Sequence, residues 1–251
     1  MVYPPGQGKS GEYLMQLWRQ YLEDYAASEE NVERQIIGAA YRSAEILGFL
    51  AARLDRDGRQ RDEIAQRTGI FKEAAGRAEN LEDCLITATF SLYNFFNSLG
   101  HQFASGNPEA EKLIGDIDQQ VRTRTGDAGQ VERAAAALEA AFPLLSIMAL
   151  ALDPVGEMTD SVRQVERRFA ESSARVASPS ERLVNALYRI VEMMQLFAVL
   201  SDADLRGQVE QIASRFEEDD QAPELKYKLR NGFCRLFELS HLATTQLDEV
   251  L

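Results

Sequence analysis

Residues 178–200 read SPSERLVNALYRIVEMMQLFAVL, and this stretch decides the fold. Its start carries three helix-initiation signals together: Ser178 placed to cap, Pro179 at the first helical position, and Glu181 three residues after the cap, where its carboxylate can reach back to the cap N–H. The remainder of the stretch is apolar nearly all round, and such a helix must be covered on every side. The chain repeats the arrangement. Glu33-Arg34, Glu82-Asp83, Glu132-Arg133 and Glu181-Arg182 recur at steps of 49, 50 and 49 residues, and each opens a long apolar helical segment. A fifth such segment begins slightly early, near Pro223-Glu224, so the chain reads as roughly five helix pairs laid end to end.

Working outward from the repeat, the first helix places Tyr13, Leu14, Leu17, Trp18, Tyr21, Leu22 and Tyr25 at helical spacing. The second spans about residues 29–57 and is stopped by Gly58. The third carries Ile64, Thr68, Phe71 and Ala75, and the fourth, residues 80–103, carries Phe90, Leu92, Phe95, Phe96 and Leu99. Asn107-Pro108 starts the fifth as cap and first helical residue. Asp127 with Gln130 forms a capping box for the sixth. The seventh aligns Val162, Val165 and Phe169, the eighth is the opening stretch, and Ser201-Asp202-Ala203-Asp204 restarts the chain into a ninth. The acidic run Glu217-Glu218-Asp219-Asp220 leads through Pro223 into the last. Within each pair the first helix is charged with a narrow apolar stripe and the second is broadly apolar, so the helices opened by Glu33, Glu82, Glu132 and Glu181 are expected to be the buried ones.

The expected fold class is therefore all-α, about ten antiparallel helices as five stacked helix pairs, either an open helical-repeat array or a compact bundle. A flexible tail over residues 1–9 precedes a single domain over 10–251. Composition agrees: 251 residues, 45% hydrophobic and 27% charged, with only 16 Gly and 7 Pro, disfavour both disorder and a turn-rich β protein.

A net charge of −13 opposes long-range attraction to nucleic acid or anionic lipid. Cys84 and Cys234 sit within apolar helical segments, which suits a reduced cytoplasmic interior. The first nine residues lack the pattern of a secretory signal. Residues 134–152 approach membrane-span length, but alanine supplies much of their apolar character, and a buried central helix is expected with no membrane partner.

Chemical signatures are thin. Gly8-Lys9-Ser10 matches the end of a phosphate loop, yet the first glycine of that motif would fall at Tyr3, with no strand before it. Glu238 and His241 have the spacing of a carboxylate and imidazole sharing a metal, but a di-iron bundle needs two such pairs and further carboxylates. His101 is the only other histidine. No cofactor or metal is expected. The acidic run at 217–220 resembles a magnesium-binding cluster in composition, but it ends a helix. Ser91, Ser146 and Cys84 have no neighbouring pattern to activate them.

Two surfaces remain as binding candidates. Lys226, Lys228, Arg230 and Arg235 gather on the last helix, available to an acidic partner or a phosphate backbone. Arg53, Arg56, Arg59, Arg61 and Arg67 are interleaved with acids and read as a salt-bridged surface. Tyr13, Trp18 and Tyr21 on the outermost helix either cap the array or present a docking face.

Residues 33–44 (ERQIIGAAYRSA) resemble a helix of the 14-3-3 family, whose members are acidic and all-helical. That family's arginine and tyrosine phosphate-binding positions cannot be placed in this chain, so no site residue is carried over. The function expected is that of a non-enzymatic helical interaction protein, an adaptor or assembly subunit binding a protein partner or itself. One alternative is a subunit of a nucleoprotein complex touching backbone phosphate through Lys226, Lys228 and Arg230. Another is a helical enzyme with a buried polar pocket built from Asn94, Asn97, Glu139 or Glu192.

Overall fold

The computed structural model describes residues 10–26, 31–125, 128–216 and 224–250. Among them are ten α-helices and no strand: α1 Ser10–Ala26, α2 Val32–Leu54, α3 Arg61–Arg77, α4 Leu81–Phe103, α5 Pro108–Thr125, α6 Gln130–Ala151, α7 Thr159–Ser173, α8 Pro179–Ser201, α9 Arg206–Arg215 and α10 Leu225–Val250, with a 3-10 turn at Ala203–Leu205. The tail over residues 1–9 and the acidic run at 217–220 lie outside the described residues.

The repeat is a repeat of helix starts. The N-cap residues of α2, α4, α6 and α8 stand at positions 31, 80, 129 and 178, an even step of 49, and Glu33, Glu82, Glu132 and Glu181 each fall in the following first turn. A carboxylate there complements the unpaired N–H groups and the positive end of the helix dipole. Asn31 accepts from the Arg34 N–H, Asn80 from the Asp83 N–H, and Ser178 with Glu181 forms the full capping box.

Two boundaries differ from the sequence expectation. The capping box foreseen for α6 is not its start: Gly129 occupies the cap position without a side-chain bond, and Asp127 lies outside the described residues. Helix α2 also stops at Leu54 rather than near residue 57. The Asp55 carboxylate there accepts from the Gln60 N–H, and Gly58 adopts φ +70°, a left-handed conformation that glycine tolerates without a Cβ penalty.

The even helices form a closed ring. Helix α2 packs on α4, α4 on α6, α6 on α8, α8 on α10, and α10 returns to α2. They run parallel, as contacts at matching heights show. Gln102 near the end of α4 donates to the Ala51 carbonyl near the end of α2, and Arg182 at the start of α8 reaches Glu132 at the start of α6. Each odd helix runs back outside the ring and lies over the groove between two even neighbours: α3 over α2 and α4, α5 over α4 and α6, α7 over α6 and α8, α9 over α8 and α10, α1 over α10 and α2. Phe103 of α4 and Phe197 of α8, helices that are not ring neighbours, meet edge to face at 5.8 Å and fill the interior toward the C-terminal ends of the even helices.

Burial follows the predicted asymmetry. Helices α2, α4 and α6 each bury twelve residues and α8 nine, whereas α3, α7 and α9 bury two apiece. Residues 231–240 of α10 are buried without interruption. Helices α6 and α8 are long and apolar enough to cross a membrane by length and composition alone, and here both stand in the inner ring. Closure also decides between the two architectures left open by the sequence: among the described residues there is no open solenoid end at which an even helix leaves its apolar side bare.

Candidate functional site

The first and last helix pairs meet between α9 and α1. Among the described residues, helix α9 has ten residues against the 26 of α10, so it covers only part of that inner helix. Between α1, α9 and α10 lies a cleft of about 1150 Å³. Its walls include Leu14, Met15 and Trp18 from α1, Ile212 and Arg215 from α9, and Glu238, His241 and Leu242 from α10. Mostly apolar walls with a few convergent polar groups are the usual composition of a binding cleft.

Glu238 forms the floor. It is 4% exposed, its Oε1 accepts from the Tyr21 hydroxyl at 2.9 Å, and its other oxygen is paired with the Arg215 guanidinium. Burial pushes the Glu238 carboxyl above its ordinary value, outweighing the opposite pull of Arg215 and Tyr21. The Tyr21 hydroxyl is also pushed up, by burial first and then by its neighbours Cys234 and Glu238. His241 donates from Nε2 to the Leu14 carbonyl at 3.1 Å, and burial lowers its pKa, which favours the neutral ring. Trp18 lies against His241 with ring centroids 5.0 Å apart and against Phe237 at 5.9 Å.

The buried glutamate gives a pH prediction with a definite sign. Because its folded-state pKa is raised, its contribution to stability is full below the ordinary value of 4.5 and is lost as pH rises through the folded value. Glu238→Gln removes that titration. The melting temperature of the wild type relative to Glu238→Gln is therefore expected to fall as pH rises above about 4.5; a difference that is flat or grows with pH would contradict it.

The aromatic trio divides between two neighbours of α1. Tyr13 turns to α2, with its ring 5.1 Å from Phe49, and its hydroxyl is pushed up to about 12 by burial and then by Glu45. Trp18 and Tyr21 turn to α10, and only Trp18 of the three lines the cleft. Beside it, Met15 is 56% and Leu22 46% exposed, so Met15, Trp18 and Leu22 make a stripe at i, i+3, i+7 along one side of α1.

The four cations of α10 do not share one face. Lys226 and Lys228 stand about 200° apart around a helix of 3.6 residues per turn. Lys226 pairs with Glu224 at 3.1 Å and lies over the Tyr227 ring, which Arg230 also approaches at 5.3 Å. Lys228 is half-buried, and Arg235 is 8% exposed, donating to the Ala213 carbonyl at 3.1 Å beside the Phe216 ring.

The residues offered for a buried enzyme pocket are also apart, at three clamps that fasten outer helices to inner ones. Arg67 of α3 binds the Asn94 carbonyl, the Ser98 hydroxyl and the Asn97 side chain of α4. Arg124 of α5 binds Glu139 of α6, and Arg168 of α7 pairs with Glu192 of α8. Arg215 with Glu238 is the α9–α10 member of the same series, and the only one of these pairs that opens on the cleft. At α1–α2 the polarity reverses, with Asp24 facing Arg34 and Arg42.

Sequence reasoning considered Glu238 only with His241, as a metal pair, and passed over Arg215. A usable signal was present: an acid inside the long apolar run of α10 needs a cationic or hydroxyl partner from another helix. Among the described residues, no group of three His, Cys, Asp or Glu side chains is placed to hold a metal ion. Compared with known proteins, the chain matches no protein-family model, none of the curated proteins and no solved structure.

Proposed function

We propose that this chain is a non-enzymatic helical interaction protein, an adaptor or assembly subunit, that takes a protein partner in the cleft between α1 and α9. One observation carries this most directly: Met15 and Trp18 line the cleft, and exposed Leu22 continues their stripe along α1 beyond it, in the spacing that engages a helix. Ring closure removes the broad apolar surfaces that an open array would have offered, which leaves this seam as the best-supported docking place. The polar groups at the floor are already matched to one another, an arrangement suited to positioning a partner more than to activating a nucleophile. Two buried cysteines that form no disulfide agree with a cytoplasmic setting. Contact with a phosphate backbone has less support, because the cations of α10 are split between faces.

The test is comparative capture from the native host with three baits: the wild type, Met15→Glu at the cleft, and Ile70→Glu on α3. Ile70 is as exposed as Met15, at 57%, and belongs to no part of the cleft. A partner retained by the wild type and Ile70→Glu but lost by Met15→Glu is the expected result. Capture that is insensitive to Met15→Glu, or absent throughout, would overturn the proposal.

A further inference from the structure

The cleft carries information about what its occupant must offer. Glu238 is nearly inaccessible, yet it lines the cleft, where its carboxylate is paired with the Arg215 guanidinium. Its two partners differ in kind. Tyr21 is 3% exposed and locked among Trp18, Tyr25 and Phe237, while the Arg215 side chain is 56% exposed and reaches in from the solvent side of the short helix α9. The cation over Glu238 is therefore the exchangeable one.

We propose, resting on the docking reading above, that the partner presents a lysine or arginine side chain from an apolar helical segment, and that this cation displaces Arg215 from Glu238. Three features fit that chemistry. A carboxylate at the end of an apolar cleft pairs with an ammonium or guanidinium on a hydrocarbon stem, since such stems bury readily while the charge seeks a partner. Trp18 and His241 stand at the cleft wall next to it, and an aromatic face attracts a cation. The net charge of −13 steers a basic segment toward the chain and repels an acidic one. Arg215 then acts as a resident competitor: it keeps Glu238 matched in the free protein and moves out to solvent on docking.

The chain has a single tryptophan, Trp18, so intrinsic fluorescence reports directly on the cleft. The probes are octylammonium, 1-octanol and octanoate, which share one apolar stem and carry a cationic, a neutral and an anionic head. Octylammonium stands in for a lysine side chain. It is expected to give saturable quenching with an apparent Kd about tenfold below that of 1-octanol, with octanoate weakest. Arg215→Gln should tighten octylammonium roughly threefold or more by removing the competitor. Glu238→Gln should abolish the preference for octylammonium over 1-octanol.

Preference for octanoate, loss of octylammonium binding in Arg215→Gln, or no saturable response from any probe would overturn the proposal. If either variant proves unfolded by circular dichroism, the order of the three probes on the wild type still decides. A partner whose capture depends on Met15, combined with no preference for octylammonium, would leave the docking site standing and remove only the cationic anchor.

Discussion

Replacing Phe95 by alanine should destabilise the protein by about 3–5 kcal/mol, the range for deleting a fully buried aromatic ring. Phe95 is 1% exposed, and its ring lies directly over Gly48 of α2, at the junction of two ring neighbours. A Cβ on Gly48 would come within 2.8 Å of the ring edge, so glycine is required there even though it costs a helix interior roughly 1 kcal/mol relative to alanine. The two positions should therefore be strongly coupled. Gly48→Ala alone overpacks the junction and is expected to destabilise by about 1–3 kcal/mol. In the Phe95→Ala background the clash is gone, and the same change should be neutral or stabilising. Urea unfolding of the four proteins in this cycle measures the coupling; additive effects would mean that Phe95 has another place to go.

The same pair shows what the sequence could and could not tell. A reader sees that Phe95 belongs to a broadly apolar segment and that Gly48 interrupts another, since both statements are local. That one fits the other depends on α2 and α4 lying side by side and parallel, an arrangement reached only once the outer helix between them has turned the chain round. The repeat was legible because its cause is local too: a cap and a first-turn acid recur wherever an inner helix begins. Ring closure was not legible. It depends on α10 meeting α2 across nearly the whole chain, and no local pattern in either helix records that contact.

The candidate site divides in the same way. Trp18 and Tyr21 stand out in sequence as aromatic residues on one helix face. Arg215 and Glu238 do not, because each is an ordinary charged residue until α9 and α10 bring them together with the Tyr21 hydroxyl. The cations of α10 show the converse. Lys226 and Lys228 are two residues apart in the chain and on opposite sides of the helix, while Lys228 and Arg235 turn toward the protein. The cleft itself arises from something no motif encodes, the shortness of α9 relative to the helix beneath it.

Arg182→Met should cost about 3 kcal/mol at neutral pH, as expected for removing one partner of a largely buried ionic cluster. Arg182 is the direct link between two successive inner helices. From the first turn of α8 it bonds Glu132 in the first turn of α6 at 2.5 Å and Glu139 one level down at 2.7 and 2.6 Å, with side-chain exposures of 18% for Arg182 and 12% for Glu139. Its residue pair, Glu181-Arg182, is thus tied to the corresponding pair of the preceding repeat, Glu132-Arg133. Burial alone would raise the Glu139 carboxyl, but the bonds from Arg182 and Arg124 outweigh it and hold the group below its ordinary value. A depressed folded-state pKa contributes stability that is present above the ordinary value of 4.5 and is lost as pH falls through the folded value. The penalty of Arg182→Met should therefore be largest above about pH 4.5 and shrink as the solution is acidified below it. Glu238 should titrate in the opposite sense, so the two substitutions report opposite pH slopes from the same fold. Melting curves of Arg182→Met and the wild type across pH 3 to 7 check this; a penalty that persists undiminished at low pH would show that Arg182 stabilises the ring by packing its stem, with its charge playing no part.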